Sequence, residues 1–85
     1  MIGRTVRWSD MNFPEKAKSA MVDIFSDHGY HGVNDTISVV DFAKLMLKDI
    51  NTEGSMLKRY KSQIVHTILW LKKYNAQEIV LDFNT

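Results

Sequence analysis

The stretch Ser55-Met56-Leu57-Lys58-Arg59-Tyr60-Lys61-Ser62-Gln63-Ile64-Val65-His66-Thr67-Ile68-Leu69-Trp70-Leu71-Lys72-Lys73-Tyr74-Asn75 decides how this chain is read. Leu57, Tyr60, Ile64, Ile68 and Leu71 recur three or four positions apart, the period of one helix face. A helix from about Ser55 to about Asn75 is expected. Val65, Leu69 and Trp70 make its second half apolar nearly all round, which predicts the central, most buried helix of the fold. Trp70 falls well away from the centre of the apolar stripe, so it faces either a second layer or a partner. The charged residues between Gly54 and Gln77 are Lys58, Arg59, Lys61, Lys72 and Lys73, with no acid among them. That segment carries +5 and the rest of the chain −4, against a formal net charge of +1.

Upstream, Ser38 followed three residues later by Asp41 is a capping signal. Val39, Phe42, Ala43, Met46 and Ile50 then form one continuous stripe, so a helix is expected near 38–50. Asn51-Thr52-Glu53-Gly54-Ser55 breaks the period. Asn12 with Glu15 reads as a capping box for a first helix near 13–28, with Pro14 in its first turn. Ala17, Ala20, Met21 and Ile24 supply its face, and Gly29 its stop. Residues 30–35 read as a loop. Thr5-Val6-Arg7-Trp8, Thr36-Ile37 and Glu78-Ile79-Val80-Leu81-Asp82-Phe83 are β-prone, and pairing any two of them makes a small sheet. The expected fold is mostly α: one domain over 1–85, three helices with a small two- or three-stranded sheet, helix-turn-helix-like in order.

Length and composition narrow the functions. Eighty-five residues allow one domain with a small core. With 45% apolar and 25% charged residues the chain is of ordinary globular composition. Zero cysteines exclude a disulfide scaffold, a thiolate zinc site and a cysteine nucleophile. The first eight residues lack the apolar run of a signal peptide, and Ile64 to Leu71 is too short to span a membrane. A soluble, cytoplasmic protein with no membrane partner is expected. The Asn34-Asp35-Thr36 acceptor is then idle.

The run Thr36-Ile37-Ser38-Val39-Val40-Asp41-Phe42-Ala43-Lys44-Leu45-Met46 resembles the strand and second helix of winged helix-turn-helix domains, and the segment 62–75 resembles their recognition helix. Glu78 to Leu81 would begin the wing, with Thr5 to Trp8 as its other strand. The connection from Ile50 to Ser55 is longer than the usual turn of that motif. The resemblance implies nucleic-acid binding by the third helix. Arg59, Ser62, Gln63 and His66 are side chains able to meet base edges, and Lys58, Lys61 and Lys73 are able to meet phosphates. Arg4 and Arg7 join them if the N-terminus folds alongside.

The segment 34–42 also resembles the second half of an EF-hand loop and its exiting helix. Placing Ile37 at loop position 8 puts Tyr30 at 1, Gly32 at 3, Asp35 at 6 and Asp41 at 12. That leaves too few oxygen ligands for calcium. His28 and His31, near Asp27 and Asp35, are the residue types of a metal site, but a histidine completing a helix end is the commoner use. No metal or cofactor is expected. Nor is a catalytic residue, since no carboxylate pair or phosphate-cradling loop stands in the chain. A non-enzymatic regulatory protein is expected, acting on nucleic acid or, alternatively, on another protein. The alternative is an adaptor or inhibitor that uses Trp70, Leu69 and Tyr74 as an exposed patch, as a homodimer or on a larger partner. Met21, Met46 and Phe42 are assigned to the core, whereas Trp8, Trp70 and Tyr74 are surplus to it.

Overall fold

The computed structural model describes residues 4–83, so Met1 to Gly3, and the chain beyond Phe83, lie outside the described residues. Strand β1 (Arg4–Arg7) passes through a 3₁₀ turn at Trp8–Asp10 into helix α1 (Glu15–Asp27). Strand β2 (Asp35–Ser38) and helix α2 (Val39–Ile50) follow, then a 3₁₀ helix at Met56–Tyr60, helix α3 (Lys61–Lys73) and strand β3 (Ala76–Leu81). The domain is mostly helical with a small three-stranded mixed sheet. β3 lies in the middle, parallel to β1 and antiparallel to β2. Two of the three pairings open to the β-prone segments are therefore made at once. β1 joins β3 in parallel, not as the return strand of a hairpin.

Register explains the burial. Val6 and Ile37 both stand opposite Ile79, and all three are buried on the face that the helices cover. Arg4 pairs with Ala76 but Thr5 with Glu78, so Gln77 is an extra residue in β3. This bulge moves the buried positions of β3 to Ala76, Ile79 and Leu81, where strict alternation would fail. Thr5, Arg7, Thr36 and Glu78 are exposed on the other face.

The helix ends follow local chemistry. Ser38 caps α2 by accepting from the Asp41 N–H at 3.0 Å, and Val39, Phe42, Ala43, Met46 and Ile50 are all buried. Gly29, at φ +89°, ends α1: its N–H reaches the Ser26 carbonyl and the Tyr30 N–H reaches Phe25. These two bonds are the pair that satisfies the last carbonyls when the chain turns left-handed. Asn75 ends α3 in the same left-handed conformation, at φ +62°, which its short polar side chain tolerates, and its N–H reaches the Lys72 carbonyl.

Four expectations are corrected. Asn12 does not cap α1: Pro14 occupies the N-cap with no side-chain bond. The residue before a proline is driven out of helical geometry, so Phe13 stays outside the helix and packs into the core instead. The third helix is not continuous. Ser55 accepts from the Leu57 N–H at 3.1 Å, and this local bond favours a 3₁₀ start that ends at Tyr60. Nor is α3 buried all round. Only Ile64, Ile68 and Leu71 are buried, because the sheet and α2 cover one side of it. Trp8, finally, belongs to the core at 5% exposure, edge-on to Phe25 and Phe83 at 5.4 and 5.7 Å. Among the described residues no helix is long and apolar enough to cross a membrane.

Candidate nucleic-acid interface

The basic segment starts where the chain is anchored. The Ser55 hydroxyl donates to the Asp49 carboxylate, and Leu57, 1% exposed, plugs the core. With Leu57 held inward, Lys58 and Arg59 point to solvent. The change of winding at Tyr60 then brings them beside the first turns of α3. Lys58, Arg59, Lys61, Ser62, Val65 and His66 line one shallow depression with no acid among them. Five of the seven residues expected to meet nucleic acid are thus brought together. Gln63 and Lys73 are exposed but lie outside this depression. Lys73 sits twelve residues beyond Lys61 on the same helix, a rise of about 18 Å. Among the described residues none of Lys58, Arg59, Lys61, Lys72 and Lys73 is in an ion pair.

The outward side of α3 also carries apolar surface. Leu69, Trp70 and Tyr74 are 59%, 49% and 40% exposed. Trp70 and Tyr74, one turn apart, stack with ring centroids 5.2 Å apart and an interplanar angle of 9°. The Arg4 guanidinium lies 4.4 Å from the centre of the Tyr74 ring. Cation and ring attract through the ring's quadrupole. Trp70 also lines a cleft of about 330 Å³ with Asp10, Met11, Asn12, His66 and Thr67. His66 borders both this cleft and the basic depression, so the two form one surface along α3.

Parallel pairing of β1 with β3 is what delivers Arg4 here, since its N–H bonds the Asn75 carbonyl at 3.2 Å. Arg7 goes elsewhere: its guanidinium pairs with Asp82 at 2.6 Å. No local pattern of residues foreshadows the wall formed by Asp10, Met11 and Asn12. It arises because the buried Trp8 pins the 3₁₀ turn, and no spacing rule couples that turn to a helix more than fifty residues away.

Of the four residues weighed for metal binding, two side chains, those of His28 and Asp35, are engaged elsewhere. His28 makes a 2.9 Å contact from Nδ1 to the Ile24 carbonyl, and the Asp35 carboxylate accepts from the His31 N–H. Among the described residues no three of His, Cys, Asp and Glu come together as a metal would require. Asp35 to Ser38, the middle of the EF-hand-like stretch, is β2 itself. No protein-family model, curated protein or solved structure matches this chain.

Proposed function

We propose that this is a small non-enzymatic regulatory module of the cytoplasm that acts by binding nucleic acid, with the Met56–Tyr60 segment and α3 as its contact surface. One observation carries the reading: Lys58, Arg59 and Lys61 surround a single acid-free depression together with Ser62 and His66. Cations gathered without acidic neighbours release counterions when they meet phosphates, and this is the main source of affinity for a nucleic-acid backbone. In the proposal Lys58, Lys61 and Lys73 meet phosphates, while Arg59, Ser62, Gln63 and His66 approach base edges. The order β2, α2, α3, β3, with α2 packed on α3, supports a helix-turn-helix-like use of α3. A net charge of +1 limits the strength of nonspecific binding. Fluorescence anisotropy over a salt series tests the proposal. Binding should weaken as salt rises, and Arg59→Ala with Lys61→Ala should weaken it further. No binding at low salt removes the proposal.

A second reading is favoured by the exposure of Trp70, Leu69 and Tyr74. A helix braced on its own core to enter a groove would bury its tryptophan, whereas a docking face leaves it open until a second chain covers it. The protein would then be an adaptor or inhibitor, acting as a homodimer or on a larger partner. Sizing over a wide concentration range tests the homodimer. A dimer that Trp70→Ala dissociates supports it, and a strict monomer removes it.

A further inference from the structure

We infer that the nucleic acid bound by this chain is single-stranded and seats an unpaired base against Trp70, in the cleft between the Trp8–Asp10 turn and α3. The inference rests on the nucleic-acid reading above and adds the form of the ligand to it. Its starting point is the stack. Arg4 lies over the Tyr74 ring and Trp70 stacks on the same ring, so Tyr74 is engaged twice and the indole is the more exposed ring of the row. That indole is 49% exposed and lines a cleft of about 330 Å³, at the small end of the range for ligand clefts. A flat aromatic at the mouth of a small cleft suits a flat ligand.

The rest of the cleft suits the edge of a base. The Asp10 carboxylate accepts hydrogen bonds, and the Asn12 amide both donates and accepts. Thr67 already donates its hydroxyl proton to the Gln63 carbonyl at 2.9 Å, which leaves its oxygen able to accept. Carboxylate and amide side chains are those that read the amino and carbonyl groups of base edges. Asp10 is the one acid in this cleft, set apart from the cations of the basic depression. Charge then selects the occupant. The cleft continues through His66 into the depression of Lys58, Arg59 and Lys61, and Lys73 stands at the far end of α3. A strand with one base on Trp70 can run its phosphates along these cations. A duplex cannot offer that base without first unpairing and unstacking it. A face combining a stacking ring with a cationic track is the arrangement that binds single strands.

The test uses the full chain and a mixed-sequence single strand of ~12 nucleotides, as DNA and as RNA, beside the same sequence as a hairpin duplex. Trp8 is buried, so a change in tryptophan emission on titration reports on Trp70. The single strand should quench that emission and bind at least about tenfold more tightly than the duplex. Trp70→Ala should lower single-strand affinity by about tenfold or more, and Trp70→Phe should keep most of it. Duplex affinity should be unchanged in both variants. If the duplex binds as tightly as the single strand, or Trp70→Ala leaves single-strand affinity intact while Lys61→Ala still weakens it, stacking is overturned and the basic face stands. Failure of both ligands to bind at low salt overturns both ideas. Loss of a dimer in Trp70→Ala, with no effect on the oligonucleotide, assigns the ring to a protein partner instead. Should Trp70→Ala prove unfolded by circular dichroism, the quenching and Trp70→Phe results decide.

Discussion

Gly32→Ala probes how the cleft wall is held. Gly32 sits at φ +82°, and a methyl group there would overlap the ring of Phe83, whose N–H bonds the Gly32 carbonyl at 3.3 Å. Two costs follow. A left-handed conformation costs a residue with a Cβ about 1–2 kcal/mol. Displacing Phe83 also weakens its stack on Phe25 (6.0 Å, 5°) and its edge contact with Trp8 (5.7 Å), each worth about 0.5–1.5 kcal/mol beyond area. The sum is about 2–5 kcal/mol, a large part of the ~5–15 kcal/mol that holds a domain folded. Gly29→Ala is the control. Its φ is +89°, but nothing lies within 4 Å of the added carbon, so it should lose only the conformational part. Any gain from a stiffer unfolded chain is common to both variants and cancels in the comparison. Urea unfolding of the two should differ by about 1–3 kcal/mol, with the melting temperature of Gly32→Ala lower by several degrees more. Equal losses in the two variants would refute the claim that Phe83, closed over Gly32, braces Trp8 and the turn that carries Asp10.

Three further outcomes are expected. Ser38→Ala removes the acceptor for the Asp41 N–H and should cost about 1 kcal/mol by thermal melting. Leu57→Ala empties a site that is 1% exposed and should cost about 2–5 kcal/mol in urea, showing that the 3₁₀ segment carrying Lys58 and Arg59 is pinned by the core. Trp8→Ala should cost about 3–5 kcal/mol, whereas Trp70→Ala, with about half of that residue already in solvent, should cost clearly less. Similar losses at the two tryptophans would mean that Trp70 serves the fold and is not held open for a ligand.

The order of elements was legible because each boundary had a local cause. The Ser38 cap, the stripe from Val39 to Ile50 and the Gly29 stop act within a few residues, where pattern reading is sound. The break at Tyr60 was not legible. Neither proline nor glycine marks it, and the bond from Leu57 to Ser55 that starts it looks in the sequence like an ordinary helix cap. The exposure of Leu69 and Trp70 was hidden for another reason. Periodicity tells which residues share a face of α3, but not whether a neighbour covers that face, and here the sheet and α2 lie on one side only. The candidate site divides the same way. Its basic residues are near one another in sequence and could be named from it. Arg4, Asp10 and Asn12 join through the parallel pairing of β1 and the packing of Trp8, which are long-range facts of the fold.

The central claim is that the acid-free face of Met56–Tyr60 and α3 binds nucleic acid through its cations. The most direct measurement is the salt dependence of oligonucleotide binding for the parent chain and for Lys61→Ala. With Lys58, Lys61 and Lys73 on phosphates, the logarithm of affinity should fall against the logarithm of salt with a slope of about −2 to −3. Removing Lys61 should make the slope shallower by just under one unit. A parent chain that binds nothing at low salt, or a slope unchanged in Lys61→Ala, would contradict the account.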